Sequence, residues 1–449
     1  MNKLVNFPYK NVLVLGLAKS GTAASEVLLD NDVHVRINDR NANNNDKDVV
    51  ELKSKGAEVI LGEHPLSVLD NVELIVKNPG IPYEIPILVE ASNRDIPIIT
   101  EIELAGRLTD GMIIGITGSN GKTTTTTLTH EMLVKSEQPV KVAGNIGIVA
   151  TDVAKQLTSN EKMILELSSF QLMGIQTFRP TIAVLLNLFE AHLDYHKSFA
   201  NYVEAKSNIF KHQTKDDYLI YNADDPNVVQ AVQNARAVKI PFSVKKRMFD
   251  GAWATEEAIF FKDEKVMERK DIVLVGDHNL ENILASISAA KLSGATNEGI
   301  QQVLSSFSGV KHRLQFVDNI NNRFFYNDSK ATNMLATKKA LSSFQQPIIL
   351  LAGGLDRGNH FDELIPALEN VKTMVVFGET ASKLQDIASK AGIETVVPVK
   401  DVEEAVHEAY SLSEADDIIL LSPACASWDQ YRTFEERGDM FIHAVHTLK

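Results

Sequence analysis

Cysteine is almost absent from this chain, since Cys425 is the only one among 449 residues. A single thiol excludes an intrachain disulfide and a cysteine-based zinc site, and it is the usage expected in a reducing compartment. Apolar runs of about 18 residues, long enough to cross a membrane as a helix, are also absent. The first residues, MNKLVNFPYKNVLVLG, show no signal-peptide pattern and lead straight into a strand-like segment. We therefore expect a cytoplasmic protein that does not bind a membrane.

Positive charge is also in short supply. The net charge is −14 and the isoelectric point is near 5.4, which argues against a broad basic surface for nucleic acid. An anionic ligand must therefore be held by a few local cations and backbone N–H groups. The hydrophobic fraction of 44% and the charged fraction of 23% are those of an ordinary globular protein. Since domains have roughly 100–200 residues, the length predicts two or three of them.

Short β-branched runs alternate with longer amphipathic ones through most of the chain, which is the pattern of α/β domains with largely parallel sheets. Breaks in this rhythm predict three domains, at residues 1–107, 108–309 and 310–449. The first opens with a βαβ pattern, and the third begins where the alternation of strand and helix restarts. Within the second, Gly251–Leu274 alternates aromatic, charged and apolar residues and predicts antiparallel strands.

The stretch GITGSNGKTT, residues 115–124, is typical of a loop that binds nucleotide phosphates. The strict pattern G-x-x-x-x-G-K-[ST] would need glycine at Ile116, but Gly118 and Gly121 still let backbone N–H groups turn toward phosphate oxygens. Lys122 can neutralise phosphate charge, and Thr123 can reach Mg²⁺. The alternative is a Gly-rich turn before a Thr-rich helix. The preceding strand and following helix favour phosphate binding.

An earlier loop, Gly16–Gly21, is similar to a dinucleotide-binding fingerprint with its middle glycine replaced by Ala18. That glycine lets the backbone approach a pyrophosphate, so its loss weakens the case for NAD-linked redox chemistry. The loop could hold another diphosphate, and Asp39-Arg40 at the end of the next strand would suit a sugar-nucleotide. A tight turn without a ligand is equally compatible with the motif.

Three further residues are candidates for metal or acid–base chemistry. Glu166 ends a strand beside the phosphate loop, where a second Mg²⁺ ligand belongs, although a capping or solvated glutamate fits equally. His192 lies in a cluster, FEAHLDYH, whose spacing is not that of a hydrolytic zinc site, and a hydrogen-bonded loop histidine is the simpler interpretation. Lys206 lies on a predicted helix and would ordinarily be a surface cation.

The remaining candidates lie near the junction of the second and third domains and beyond it. A helix is predicted from Leu280 to about Leu292, with Asn279 as its cap. Cationic and acidic residues then flank the next strand, at a junction where ligand clefts tend to form. They are Arg313, Asp328 and Lys330. Near the end, Ser422–Gly438 predicts a helix start rich in small residues, in which Cys425 is a small buried residue rather than a nucleophile.

Taken together, these motifs resemble the Mur ligases, the ATP-dependent amino-acid-adding enzymes of peptidoglycan synthesis, and most closely their D-glutamate-adding members. The resemblance covers all three domains in order and rests on GITGSNGKTT, GNIG, ELSSFQL, HLD, GDHNLEN, HR, NDSKATN and SPACASWDQY. It implies an α/β fold of three domains, with Rossmann-like first and third domains and a central P-loop ATP-binding domain. The implied substrates are UDP-N-acetylmuramoyl-L-alanine, D-glutamate and ATP with Mg²⁺, joined through an acyl phosphate by a monomer.

The resemblance also implies a role for each matched residue. The residues implied for ATP are Gly118, Ser119, Asn120, Gly121, Lys122, Thr123, Thr124, Asn282, Arg313 and Asp328. Those implied for the metal are Thr123, Glu166, His192 and Lys206, the last as a lysine carboxylated by CO₂, and Lys122, His192 and Lys206 are implied in catalysis. The sugar-nucleotide would contact Lys19, Ser20, Asp39, Arg40, Asn78, Gly80 and Asn145. The incoming amino acid would contact Lys330, Thr332, Arg357, Ser427, Trp428 and Phe434.

Several departures from the family pattern and two competing functions bear on this interpretation. In the first domain, Lys19 and Asp39 differ from the residues expected in the family. Ala191 stands where many relatives carry aspartate, and Arg357 stands where some carry lysine, which keeps the cation but changes its geometry. A folylpolyglutamate-type ligase would share the central motifs but lack a sugar-nucleotide domain before them. A nucleotide-dependent switch would release phosphate with no amino acid present.

Overall fold

The computed structural model describes residues 1–274 and 276–448, apart from the side chain of Asp277. Their contacts group them in two units, Met1–Asp271 with His278–Ser305, and Ile272–Asp277 with Ser306–Lys449. Each of the three domains predicted from the sequence contains one β-sheet, and their exact boundaries stay a prediction. The predicted α/β class is confirmed. None of the described helices is both long and apolar enough to cross a membrane.

The first sheet of unit 1 is built from five short apolar strands. They are β1 (Asn11–Leu15), β2 (His34–Asp39), β3 (Glu58–Leu61), β4 (Leu74–Lys77) and β5 (Ile98–Ile99). They pair in the order β3-β2-β1-β4-β5, and every pairing is parallel. The helices are α1 (Lys19–Leu29), α2 (Lys47–Ser54), α3 (Pro86–Asn93) and α4 (Glu101–Arg107), with a 3₁₀ turn at Leu66–Leu69. This is the order of a dinucleotide-binding sheet, with its ligand edge at the carboxyl ends of the strands.

The second sheet of unit 1 has nine strands. They are β6 (Ile113–Thr117), β7 (Val140–Gly144), β8 (Lys162–Glu166), β9 (Ile182–Leu185), β10 (Tyr218–Asn222), β11 (Val238–Ser243), β12 (Ala252–Ala254), β13 (Ala258–Phe261) and β14 (Glu264–Glu268). Their order is β14-β13-β12-β11-β10-β9-β6-β8-β7. The last two pairings, β12 with β13 and β13 with β14, are antiparallel, which confirms the expectation for Gly251–Leu274.

The helices around this sheet are α5 (Lys122–Lys135), α6 (Ala150–Ala154), α7 (Ser169–Leu172), α8 (Leu193–His196), α9 (Phe199–Ser207), α10 (Pro226–Ala231), α11 (Asp277–Leu292) and α12 (Asn297–Leu304), with 3₁₀ turns at Asn208–Phe210 and Arg269–Asp271. Helix α11 begins three residues earlier than predicted. Asn279 therefore lies inside its first turn, and the expectation that Asn279 caps the helix was wrong. Its Oδ1 instead accepts a hydrogen bond from Asn282 Nδ2 at 3.2 Å.

Unit 2 contains the third sheet. Its strands are β15 (Gln315–Ile320), β16 (Arg323–Asn327), β17 (Ile348–Gly353), β18 (Val371–Phe377), β19 (Thr395–Pro398) and β20 (Ile418–Leu421), in the order β15-β16-β20-β17-β18-β19. Only β15 is antiparallel to its neighbour among these pairings. The helices are α13 (Met334–Leu341), α14 (Ala381–Lys390), α15 (Val402–Leu412) and α16 (Phe434–His446), with a 3₁₀ turn at Asp362–Ala367. Cys425 belongs to the apolar core on one face of this sheet, as expected.

A buried carboxylate on α4 ties the first sheet's last helix to the second sheet's layer. Glu103, 1% exposed, accepts hydrogen bonds from the backbone N–H groups of Gln176, Thr177 and Phe178 at 2.9–3.0 Å and from Arg107 Nε at 2.9 Å. Burial alone would raise the pKa of Glu103, but these hydrogen bonds outweigh it and lower the pKa. The ionised carboxylate is therefore the stable form in the folded protein.

We expect Glu103→Ala to lower the free energy of unfolding by about 3 kcal/mol, because it leaves buried N–H groups without an acceptor. The folded-state pKa of Glu103 lies below the reference value of 4.5, so this stabilisation is present above that pH and is lost as the pH falls through the folded-state pKa. The difference between wild type and variant should therefore narrow in acid. Denaturation monitored at neutral and acidic pH measures both effects.

The control for this variant is Glu90→Ala, which removes an exposed ion pair with Arg94 on α3. Such a pair contributes about 0–1 kcal/mol. Equal losses in the two variants would contradict the role given to Glu103.

Candidate active site

The phosphate loop connects the end of β6 to the start of α5, as the sequence predicts. Gly121 occupies the N-cap position of α5 with φ +82°, and no side chain caps the helix, so its first N–H groups face the loop. A Cβ at this position would lie 2.1 Å from Asn282 Oδ1. Glycine is therefore required for the turn and for the close approach of Asn282 on α11.

Hydrogen bonds hold the loop in shape. Lys122 Nζ donates to the carbonyls of Gly118 and Ser119 at 2.9 and 3.2 Å. Ser119 Oγ accepts from the Tyr202 hydroxyl at 3.0 Å and from the Phe189 N–H at 3.1 Å. The loop is thus fixed by side chains from beyond its own strand and helix. Tyr202 was not among the residues predicted from the sequence, although its place one helical turn before Lys206 on α9 puts the two on the same face.

The other predicted ATP residues of unit 1 lie on or beside this loop. Asn120 donates its N–H to Asn187 Oδ1 at 2.8 Å, and Thr123 and Thr124 lie in the first turn of α5. Asn282 lies against Gly121 and accepts a hydrogen bond from Thr125 Oγ1 at 3.4 Å. The structure therefore brings Asn282 to the loop from a position more than 150 residues later.

Glu166 ends β8, next to β6 in the sheet, and the residue is 2% exposed. Asn145 Nδ2 donates to Oε1 at 2.9 Å, while the buried Oε2 has no hydrogen-bond partner among the described residues. A buried carboxylate oxygen without a partner costs free energy unless a cation or donor satisfies it. This atom fits a Mg²⁺ ligand, since Mg²⁺ prefers carboxylate oxygens.

Lys206 lies on α9 and points into the interior. It is 2% exposed, so the expectation of a surface cation was wrong. Its Nζ donates to the Gly118 carbonyl at 2.8 Å and lies 3.5 Å from Thr117 Oγ1, and it sits 4.9 Å from the centre of the Tyr202 ring. Sequence periodicity could not reveal this, because a lysine on one short helix carries no sign of what the helix packs against.

The charged groups around Lys206 act on one another. Burial lowers the pKa of Lys206 well below its usual value, the nearby Lys122 lowers it further, and Glu166 opposes the shift. The pKa of His192 is lowered by partial burial and by the positive charges of Lys206 and Lys122, while the charge of Asp194 acts to raise it. The structure therefore brings together Lys122, Glu166, His192 and Lys206, the four charged or titratable residues that the sequence singled out here.

His192 precedes α8 in a left-handed backbone conformation, with φ +55°. Its ring makes an edge contact with Phe170 at 5.1 Å between centroids, and Phe170 also contacts Tyr195 at 4.6 Å and His196 at 5.4 Å. Phe170 comes four residues after Glu166, so one ring supports the His192 segment from the β8 side. Its position inside the quoted stretch ELSSFQL was the signal available in the sequence.

In the first sheet, the predicted sugar-nucleotide residues lie at the carboxyl ends of β1, β2 and β4. Asn78 Nδ2 donates to Ser20 Oγ at 3.3 Å, and its Oδ1 accepts from the Gly80 N–H at 3.1 Å. The structure therefore brings Ser20, Asn78 and Gly80 together. Lys19 is the exposed first residue of α1, and that helix start has no side-chain cap.

Asp39 has a structural task in the same place. Its carboxylate accepts hydrogen bonds from the backbone N–H groups of Leu17, Asn41 and Ala42 at 2.6–2.8 Å. Burial alone would raise the pKa of Asp39, but these bonds outweigh it and lower the pKa. Asp39 thus fixes the loop after β1, and the neighbouring Arg40 is exposed.

In unit 2, the predicted nucleotide residue Asp328 follows β16 and is buried. Its carboxylate accepts from the Leu314 N–H at 3.1 Å and from Ser422 Oγ at 3.0 Å. Burial raises the pKa of Asp328 to about 7, against these bonds and the charge of Arg313. Asp328 and Arg313 therefore interact within this unit, as their flanking positions predict. Their contact with the same nucleotide as the phosphate loop stays a prediction.

The predicted amino-acid residues of unit 2 form cation–aromatic pairs. Lys330 Nζ lies 4.8 Å from the Phe434 ring centre, and the Arg357 guanidinium lies 4.8 Å from that of Trp428. Trp428 is 65% exposed, and Ser427 Oγ is buried without a hydrogen-bond partner among the described residues. Helix α16 begins at Phe434, so the preceding segment from Ser422 is a loop.

Arg437 joins the two segments that carry these pairs. It is fully buried, and it donates to Ser329 Oγ at 3.1 Å, to the Ser329 carbonyl at 2.9 Å and to the Cys425 carbonyl at 3.0 Å. Next to Ser329 and Lys330, Thr332 donates its N–H to the Lys330 carbonyl at 2.8 Å. Sequence reasoning missed Arg437, because a buried guanidinium on a charged helix start looks like a surface residue.

The sequence also matches three family models along its length. They are "Mur ligase MurD-like, N-terminal domain" at residues 10–100, "Mur ligase middle domain" at residues 116–290 and "Mur ligase, glutamate ligase domain" at residues 312–425. Relatives named UDP-N-acetylmuramoylalanine--D-glutamate ligase share 64% identity in Oceanobacillus iheyensis and 56% in Bacillus cereus. Both alignments cover 100% of this chain and 100% of the relative.

Solved structures with low sequence identity share the fold. The MurF ligase of Thermotoga maritima, solved in complex with ADP, matches with a TM-score of 0.58 at 18% identity, over 100% of this chain and 99% of that chain. UDP-N-acetylmuramate-alanine ligase MurC of the same organism matches with a TM-score of 0.57 at 17% identity, over 98% of this chain and 100% of that chain.

Replacing Gly121 tests the loop geometry. We expect Gly121→Ala to weaken ATP binding by about tenfold or more, because its Cβ would collide with Asn282 Oδ1. Isothermal calorimetry with ATP measures the effect.

A matched control is Gly56→Ala, since Gly56 also has a left-handed backbone, with φ +99°, but has no atom within 4 Å of an added Cβ. Both variants incur the backbone cost of roughly 1–2 kcal/mol, while only Gly121→Ala meets the collision. Equal ATP affinities in the two variants would contradict the role of this turn.

Proposed function

This chain belongs to the Mur ligase family, and on that premise we propose that it joins D-glutamate to UDP-N-acetylmuramoyl-L-alanine, with cleavage of ATP to ADP and phosphate, in peptidoglycan precursor synthesis. The observation that carries this proposal is the 64% identity, over the full length of both chains, to a relative with that name. The geometry of the loop, the buried charges and the cation–aromatic pairs supports it.

The reaction needs an activated carboxylate. An oxygen of the alanyl carboxylate attacks the γ-phosphorus of ATP, the bond from that phosphorus to the bridging oxygen breaks, and ADP leaves. The amine of D-glutamate then attacks the carbonyl carbon of the acyl phosphate and loses a proton, and the tetrahedral intermediate collapses to an amide and inorganic phosphate. Such chemistry depends on neutralising charge around the transferring phosphoryl group more than on a protein nucleophile.

Residues of unit 1 supply that neutralisation. The N–H groups at the start of α5 would hold phosphate oxygens, and Lys122, which now donates to loop carbonyls, would turn to the β- and γ-phosphates. Thr123 Oγ1 and the unpartnered Oε2 of Glu166 would hold Mg²⁺. When bound, Mg²⁺ would offset the negative charge that builds up on the phosphates. Asn145 fixes Glu166 through the hydrogen bond to Oε1 and would contact the acceptor carboxylate.

Lys206 would act as a carboxylated lysine. Carbamate formation needs a neutral amine that attacks CO₂ and releases one proton, and the buried Lys206, with its lowered pKa, supplies that amine more readily than a surface lysine. The resulting anion would be a metal ligand beside His192 and would be stabilised by Lys122 and the metal. The current donation from Lys206 Nζ to the Gly118 carbonyl places the group against the phosphate loop.

The other two substrates would be held by the remaining predicted residues. D-glutamate carries two carboxylates, and the cations Lys330 and Arg357, with the buried hydroxyl of Ser427, suit an acidic amino acid rather than a neutral one. Thr332, Trp428 and Phe434 complete that set. The sugar-nucleotide would lie at the carboxyl ends of β1 and β4, where Ser20, Asn78 and Gly80 meet and Lys19 and Arg40 add positive charge.

Two other functions are less well supported. A folylpolyglutamate-type ligase would share the central domain, but the match of residues 10–100 to a MurD-like N-terminal domain favours a sugar-nucleotide ligand. A nucleotide-dependent switch would use the phosphate loop and the Mg²⁺ ligand Glu166 and would leave the buried Lys206 without a task.

An amino-acid panel tests the proposal. With ATP, Mg²⁺ and UDP-N-acetylmuramoyl-L-alanine, we expect phosphate release with D-glutamate and none with L-lysine, diaminopimelate or L-alanine. Release should also stop when either acceptor is omitted, and Lys122→Ala should abolish it, because Lys122 is the cation of the loop. Turnover with another amino acid but not with D-glutamate would refute the assignment, and release without any amino acid would favour the switch.

The carboxylated lysine has its own test. We expect Lys206→Ala to be inactive and to regain part of its activity with added formate or acetate, which replace the carbamate as an anionic ligand. Wild-type protein incubated with ¹³C-bicarbonate should show a carbamate signal by NMR that Lys206→Ala lacks. Lys211→Ala, which alters an exposed lysine four residues after α9 ends, should keep both activity and signal. Full activity of Lys206→Ala without rescue would remove the proposal.

A further inference from the structure

Lys77, the last residue of β4, is a buried cation that the proposed reaction leaves without a task. It is 1% exposed, and it comes directly before the turn of residues 78–81. Its Nζ donates to the carbonyls of Pro79 and Ile81 at 3.1 and 2.7 Å and lies 3.3 Å from the Asn78 carbonyl. One ammonium therefore holds two carbonyls of the turn that contains Asn78 and Gly80.

The same ammonium reaches the second sheet's layer. Lys77 Nζ donates to the Tyr195 hydroxyl at 3.2 Å, and that hydroxyl donates to the Ile81 carbonyl at 3.0 Å. The Tyr83 ring covers the ammonium, with its centre 4.5 Å from Nζ. Lys77, Tyr195 and the 78–81 turn thus form a closed set of contacts between the two sheets of unit 1.

Tyr195 leads from this set to the reaction centre. It lies on α8, the one-turn helix that follows His192, and its ring and that of His192 contact the same Phe170 ring, at 4.6 and 5.1 Å. His192 itself has a left-handed backbone, which for a residue other than glycine persists only when its surroundings fix it. The position of His192 therefore depends on how α8 is anchored.

Burying a charged lysine costs free energy unless polar groups around it compensate. Burial lowers the pKa of Lys77 to about 7, and Glu84 opposes the shift. Glu84 is an exposed residue whose contact is with Lys197 at 3.4 Å, and such a pair contributes little. Neutral oxygens and aromatic rings thus make up the immediate surroundings of Lys77, an arrangement suited to fixing several backbone groups at once.

We propose that Lys77 is a positioning residue that couples the sugar-nucleotide turn to the His192 segment: it fixes the turn through the carbonyls of Pro79 and Ile81, and it fixes α8 through the Tyr195 hydroxyl. A ligand that orders the turn then also orders His192, so that the reaction centre is assembled when the acceptor substrate is in place. This inference rests on the proposed function for the identity of that ligand.

Two variants separate the two halves of the link. Lys77→Met keeps the length of the side chain and removes the ammonium, and Tyr195→Phe keeps the ring and removes the hydroxyl. We expect Lys77→Met to raise the KM for the sugar-nucleotide and to lower kcat, each about tenfold, and Tyr195→Phe to lower kcat with little change in that KM. The KM for ATP should not change in either. In the double variant, kcat should be no lower than in Lys77→Met, because both act through one bridge.

Hydrogen exchange supplies a readout that is independent of turnover. In the free protein, amides of residues 192–197 should exchange faster in Lys77→Met and in Tyr195→Phe than in the control Lys291→Met, which removes a partly buried lysine paired with Glu264. In wild type, UDP-N-acetylmuramoyl-L-alanine should slow exchange at residues 192–197 as well as at 78–81. In Lys77→Met the slowing at 192–197 should be lost.

The outcomes distinguish this inference from the proposed function. If wild type neither binds the sugar-nucleotide nor turns over, the proposed function fails, while exchange in the free protein still decides the role of Lys77. If Lys77→Met does not fold, Tyr195→Phe decides it. The inference would be overturned if exchange at residues 192–197 in both variants equalled that in Lys291→Met, or if their kcat values equalled that of wild type. A uniform loss of activity with unchanged exchange would also overturn it, because that result is expected if Lys77 only stabilises the fold.

Discussion

Burial of two ionisable side chains, Glu166 and Lys206, beside the carboxyl ends of β6 and β8 is the constraint on which the centre of unit 1 depends. Removing a carboxylate and an amino group from water is costly, so each must find polar partners inside the protein. Lys206 takes the Gly118 carbonyl and thereby fixes the phosphate loop. Glu166 takes the Asn145 amide and thereby fixes the turn after β7. The hydrogen bonds of these two buried side chains thus fix the phosphate loop and the turn after β7.

The order of strands makes this possible. Strand β6 lies between β8 and β9, so the loops that follow all three emerge at one edge of the sheet. The loop after β6 carries the phosphate-binding glycines, the end of β8 carries Glu166, and the segment after β9 carries His192. A rigid parallel sheet places the three groups, and short helices such as α8 and α9 bring the fourth, Lys206, back over them.

The sequence pattern predicted those strands and helix starts that depend on residues close together in the chain. The apolar runs ending at Thr117 and Glu166 indicated strands, and Gly121 before a Thr-rich run indicated a helix start, because each depends on neighbours in sequence. The burial of Lys206 and Arg437 could not be predicted in this way, since it depends on which surface the helix meets. The early start of α11 was missed because Asn279 has the chemistry of a cap, whereas in the structure its amide oxygen accepts a hydrogen bond from Asn282 within the helix.

Cys425 gives unit 2 a built-in chemical probe. It is the chain's only thiol, and it is 4% exposed with its sulfur 3.4 Å from Thr380 Oγ1. Burial raises the pKa of this thiol, so little reactive thiolate forms in the folded protein. Its carbonyl is held by Arg437, which also holds the segment before Lys330. A thiol reagent can therefore react only when the structure around Cys425 opens. The rate of that reaction measures how often this part of unit 2 unfolds locally, and no label has to be introduced.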